Sequence, residues 1–95
     1  MHRYEMVLVL SPKVSQEDVP AFMERLGRFL GTRGGSITSV DSWGVRRLAY
    51  PIKRFGEGTY LLTKLEMDAS VVTVLDANLT ISEDVLRHLV IRLDS

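Results

Sequence analysis

The residues best suited to chemistry lie between Trp43 and Phe55. That stretch holds Trp43, Arg46, Arg47, Tyr50, Lys53, Arg54 and Phe55, cations interleaved with aromatic rings. Guanidinium forks match phosphate oxygens, and aromatic rings stack on unpaired bases, so this composition suits contact with RNA. The spacing sets a limit. Adjacent residues of a strand point to opposite faces, so Arg46 and Arg47 share one patch only where the strand twists or bulges. The alternative is that one of them pairs with an acidic neighbour.

Catalytic and metal chemistry find little support. There is no cysteine, which removes thiol catalysis, disulfides and thiolate metal sites. The two histidines, His2 and His88, are too few and too far apart for a metal centre. His88 has no Asp and Ser nearby in sequence placed to suggest a catalytic relay, and reads as a strand residue, packed or partly exposed. Glu83 and Asp84 read as a turn rather than an acid–base pair. Ser11-Pro12-Lys13-Val14 lacks glycine and gives up one N–H to proline, so it is a poor cradle for an acyl phosphate. No cofactor and no enzyme activity are expected.

Composition bounds the rest. A chain of 95 residues, 45% hydrophobic and 25% charged, is expected to form one domain over residues 1–95 with a single modest core. No apolar run approaches the roughly 20 residues of a membrane span. Glu5 interrupts any reading of Met6–Leu10 as a signal peptide. A cytoplasmic protein is expected, or one in an organelle after removal of a targeting segment. Twelve basic residues balance twelve acidic ones, which argues against coating nucleic acid by bulk charge. The distribution is uneven, however. Residues 45–64 carry Arg46, Arg47, Lys53, Arg54 and Lys64 against Glu57, whereas residues 65–86 carry five carboxylates and no base.

Hydrophobic periodicity supplies the elements. Arg3–Leu10 predicts a strand that is apolar on both faces, with Tyr4, Met6, Leu8 and Leu10 on one and Val7 and Val9 on the other. Ser15 to about Arg33 predicts a helix with the stripe Val19, Phe22, Met23, Leu26, Phe29 and Leu30. Ser15 is the expected N-cap, and Gly27 and Gly31 are expected to allow close approach to the sheet. Ile37–Ile52 predicts a long strand with an irregularity near Thr38–Asp41. Lys53–Gly58 reads as a loop, and Thr59–Met67 as the third strand. About Ala69–Thr80 predicts a helix through the stripe Val71, Val72, Leu75 and Leu79, against the strand preference of its valines. Val85–Leu93 predicts the last strand, with Leu86, His88 and Val90 on one face and Leu89, Ile91 and Leu93 on the other.

The order strand, helix, strand, strand, helix, strand is the α+β, ferredoxin-like βαββαβ pattern, a four-stranded antiparallel sheet with two helices on one face. Two helices cover one face only, yet the strands are apolar on both. A partner protein is therefore expected on the uncovered face, with Val7, Val9, Leu62, Leu89 and Ile91 as candidates.

Arg3-Tyr4-Glu5, Trp43-Gly44, the run Arg46-Arg47-Leu48-Ala49-Tyr50-Pro51-Ile52, Gly58 with Tyr60, and Val85-Leu86-Arg87 together resemble the bacterial ribosomal small-subunit protein six family. The resemblance runs over essentially the whole chain. It implies a non-enzymatic component of the small ribosomal subunit; the complete two-helix core stripe and the absence of ligand clusters predict separately that the free chain folds as a stable monomer without cofactor or metal. The resemblance also implies binding to the central domain of small-subunit ribosomal RNA together with ribosomal protein eighteen. Arg3, Tyr4, Arg46, Arg47 and Tyr50 match the family and become contact candidates; Lys53, Arg54 and Arg87 join them on charge and position. Some members carry a charged C-terminal tail, and none is transferred to a chain that stops at Ser95. The alternative is an RRM-type module for single-stranded RNA, stacking bases on Tyr4 and Tyr60. The segment Phe55–Leu61 lacks the basic start and aromatic spacing of that family's third strand.

Overall fold

The structure, a computed structural model, describes residues 1–93. Asp94 and Ser95, part of the single domain expected from sequence, lie outside the described residues. The elements are β1 (His2–Leu10), α1 (Val19–Gly31), β2 (Ser36–Ile52), β3 (Phe55–Met67), α2 (Ala69–Ile81) and β4 (Val85–Arg92). The strands form one sheet in the order β2-β3-β1-β4, antiparallel throughout. This is the ferredoxin-like α+β arrangement that the pattern predicts. No helix among the described residues is long and apolar enough to cross a membrane.

The main core lies between the sheet and the helices. Tyr4, Met6, Leu8 and Leu10 alternate into it from β1, and Leu61 and Leu65 from β3. Helix α1 contributes Val19, Phe22, Met23, Leu26 and Leu30, and α2 contributes Val71, Leu75 and Leu79. In α2 the pattern outweighs propensity. Each of its valines costs a helix about 0.5 kcal/mol relative to alanine. Burying the stripe Val71, Leu75 and Leu79 is worth about 1.5–3 kcal/mol per side chain.

Helix α1 starts later than its Ser15 cap signal suggests. The Ser15 carbonyl accepts the N–H groups of Asp18 and Val19, at 2.9 and 3.2 Å, and forms a lead-in turn. Pro20 explains the delay: it has no N–H to donate, so it must sit within the first helical turn. Asp18 takes the N-cap position without a side-chain cap bond. At the other end Gly35 N–H reaches the Leu30 carbonyl at 2.9 Å, and Arg33 donates to the Phe29 carbonyl at 3.0 Å. The two helical glycines are not the close contacts expected of them. A Cβ on Gly27 would meet Ile37 at an ordinary 3.8 Å, and one on Gly31 would meet nothing within 4 Å.

Strand β2 departs from a regular ladder three times. Its register slips between Ile37 and Ser39, where an irregularity is expected, and again between Ser42 and Gly44. Gly44, at φ 77, supplies the conformation the second bulge needs. The third slip lies between Arg47 and Ile52, so residues 48–51 bow outward. β3 starts at Phe55, four residues earlier than expected, because only Lys53 and Arg54 make the turn. Both have positive φ, 50 and 73, the signature of a two-residue type I′ hairpin. The glycines at 56 and 58 belong to the strand, not to a loop.

β4 carries one more correction. Val9 pairs with Arg87 and Leu10 with Val85, leaving Leu86 as an extra residue. The bulge turns Leu86 away from His88 and Val90, which face the helices, and onto the helix-free face.

Candidate functional site

The ladders assemble the helix-free face in rows. Val7 lies between Leu62 and Leu89, Val9 between Tyr60 and Arg87, and Glu5 between Lys64 and Ile91. All five residues expected to meet a partner therefore share one face. They are not equally accessible. Leu89 and Ile91 are about half exposed, at 50% and 48%, whereas Val9 is buried. Leu48 from the bow and Leu86 from the bulge close over Val9, and Ile52, Phe55 and Tyr60 pack around them. Val9 thus supports the surface from beneath and offers little to a partner. Beside this small second core a hollow of about 130 Å³ opens among Val7, Val9, Tyr60, Arg87 and Leu89.

Charge on this face is graded along the strands. At one end Arg3 sits opposite Glu66 and Glu5 opposite Lys64, so the signs alternate across the ladder. At the other end Arg87 shares the Val9 row, and Arg46 lies opposite Gly58. Neither of those two rows holds a carboxylate.

The remaining contact candidates divide between the two sides of the hairpin. Arg46 is exposed on the helix-free side and donates from Nε to the Trp43 carbonyl at 3.1 Å. Arg47 lies opposite Glu57 on the other side, with Arg54, Pro12, Phe55 and Gly56 around the same notch of about 390 Å³. Lys13, which no sequence signal singles out, places its ammonium 5.9 Å from the centre of the Phe55 ring, a residue that lines this notch. Only the fold brings the loop after β1 to the start of β3. Tyr50 is 61% exposed on the bow. Arg3, Arg54 and Arg87 are exposed as well.

Two candidates occupy different settings. Tyr4 is 5% exposed, packs in the helix-side core and meets His2 edge-to-face at 6.5 Å. Strand parity sends it inward with Met6 and Leu8, so its ring has no open face for a base. Lys53 donates to two main-chain carbonyls, Ser82 at 3.3 Å and Val85 at 3.0 Å.

The catalytic alternatives gain nothing from the geometry. His88 Nε2 lies 3.2 Å from Asp76 Oδ1 on α2, a partner invisible in local sequence. The Asp84 carbonyl accepts the Ser11 N–H at 2.8 Å, which makes that turn a structural closure. Among the described residues no three His, Asp or Glu side chains gather as a metal site would require.

Comparison with known proteins completes the picture. The family model described as ribosomal protein S6 matches residues 3–92. The chain belongs to the ribosomal protein S6 family. The small ribosomal subunit protein bS6 of Dehalococcoides mccartyi is 40% identical over 91 residues, covering 96% of this chain and 84% of that protein. The bS6 protein of Caldanaerobacter subterraneus subsp. tengcongensis is 40% identical over 94 residues, covering 99% of each. The crystal structure of 30S ribosomal protein S6 from Thermotoga maritima superposes with a TM-score of 0.84 at 27% identity. It covers 97% of this chain and 87% of that one. As an S6 family member the chain is a structural protein of the small ribosomal subunit and not an enzyme. The burial of Tyr4 separately weakens the RRM alternative, which needs that ring on the open face.

Proposed function

We propose that the chain binds the central domain of small-subunit ribosomal RNA together with ribosomal protein eighteen, and is a monomer when free. The protein partner takes the helix-free face through Val7, Leu62, Leu89 and Ile91, with Val9 beneath them. The RNA is met by Arg3, Arg46, Arg47, Tyr50, Arg54 and Arg87. Tyr4 serves that surface only through the core. The observation that carries this reading is that Arg87 and Arg46, in rows without a carboxylate, follow the apolar Leu62–Val7–Leu89 row along the helix-free face. Exposed apolar area of this kind commonly marks a protein interface, and local cations beside it suit a phosphate backbone. The family resemblance supports the identity of both partners.

Hydrogen exchange with and without ribosomal protein eighteen tests the protein half of the reading. Protection is expected in β1, β3 and β4. Protection confined to α1 and α2 would reject the sheet as the interface.

A further inference from the structure

Charge and position place Lys53 among the RNA contacts, but its surroundings assign it another task. We propose that Lys53 is a positioning residue that latches the β2–β3 hairpin to the connection between α2 and β4, and so holds Arg46, Arg47 and Tyr50 in the pose from which they meet RNA. Only the last clause rests on the RNA-binding reading above.

The bonds themselves come first. Lys53 Nζ donates to the carbonyls of Ser82 and Val85, 29 and 32 residues away in sequence. An ammonium has three donors, and two of them are committed to main-chain carbonyls of this chain. The position of these carbonyls matters as well. Ser82 is the C-cap residue of α2, and the last turn of α2 contains no basic residue. A helix C-terminus carries a partial negative charge and unsatisfied carbonyls, and Glu83 and Asp84 follow directly. Lys53 brings a cation from the hairpin to this acidic connection and binds it through the Ser82 and Val85 carbonyls.

The backbone points the same way. Lys53 and Arg54 hold φ values of 50 and 73 in a turn that favours Asn and Gly. A Cβ-bearing residue is disfavoured there, and such a conformation persists where the surrounding structure holds it in place. The hairpin also needs an anchor. Among the described residues, the cluster beneath it has three buried side chains, Val9, Leu48 and Leu86, with Ile52, Phe55 and Tyr60 partly buried around them, and residues 48–51 have lost their ladder. Segments with so few buried contacts open locally at low cost.

Two variants test the latch. Lys53→Met keeps a long stem but removes the donors and the charge, and Lys53→Arg keeps both. In the free chain, amide exchange across residues 45–60 is expected to quicken about tenfold in Lys53→Met, on the order of one net charge-assisted hydrogen bond after discounting for exposure. Exchange in α1 and β1 should stay unchanged, and Lys53→Arg should restore the hairpin. In complex with ribosomal protein eighteen, Lys53→Met should bind a central-domain RNA fragment several-fold more weakly. The slope of log affinity against log salt should not change. Unchanged hairpin exchange, with a slope reduced by about 0.7–0.9, would make Lys53 a phosphate contact and overturn the latch. If the wild-type complex shows no salt-dependent RNA binding, the proposed function fails. The exchange measurement then still decides the latch: faster exchange in Lys53→Met upholds it, and unchanged exchange overturns it.

Discussion

A Cβ placed on Gly58 would lie 2.6 Å from Cγ1 of Val9 and 3.0 Å from the Leu10 carbonyl oxygen. Here β3 runs against β1 beneath Leu86, whose Cδ1 would be 3.3 Å away, so no side chain fits without moving backbone or core. Gly58→Ala should destabilise the fold by about 1–3 kcal/mol, the usual cost of overpacking. A urea titration checks this, and an unshifted midpoint would mean that the Val9–Leu86 cluster yields freely.

The two sheet faces should respond differently to the same truncation. Leu75 is fully buried against the sheet, and Leu75→Ala should cost about 2–5 kcal/mol of stability. Leu89 is half exposed, and Leu89→Ala should change stability by less than about 0.5 kcal/mol while weakening association with ribosomal protein eighteen. Thermal unfolding and titration calorimetry separate the two effects. A Leu89→Ala variant that binds its partner at full strength would remove that residue from the interface.

Arg46 and Arg47 leave the hairpin on opposite sides, opposite Gly58 and Glu57 respectively. If each meets a phosphate, each single alanine variant should lower the salt slope by about 0.7–0.9, and the double variant by the sum. Filter binding of the partner complex to a central-domain RNA fragment measures it. An effect from only one arginine would put the RNA on that side of the hairpin. An unchanged slope in the folded double variant would move the RNA surface to Arg3, Arg54 and Arg87.

Much of this architecture is legible in the sequence because periodicity writes it there. The stripes of α1 and α2, the alternation of β1 and the slip at Thr38 all follow from side-chain spacing. What escapes is set by contacts between distant segments. Gly56 and Gly58 look like loop residues, yet Gly58 is a strand residue held by the nearness of Val9. Leu86 follows the parity of His88 in sequence and leaves it at a bulge that exists only against Val9 and Leu10. Tyr4 matches a family motif, but its face is fixed by the helices it packs under. Lys53 is one cation among four in its segment until the fold brings the end of α2 beside it.

Strand β2 lies at the edge of the sheet, where unpaired main-chain groups invite another chain to zip alongside. Val40, Trp43, Val45 and Tyr50 are exposed there and would make such a pairing adhesive. The register breaks work against it. Between the first slip and the bow, β2 offers only Ser39–Ser42 and Gly44–Arg47 as unbroken runs, four residues each. A foreign strand would lose step before its hydrogen bonds could accumulate, so the same irregularities that shape the basic hairpin also guard the chain against aggregation while it is off the ribosome.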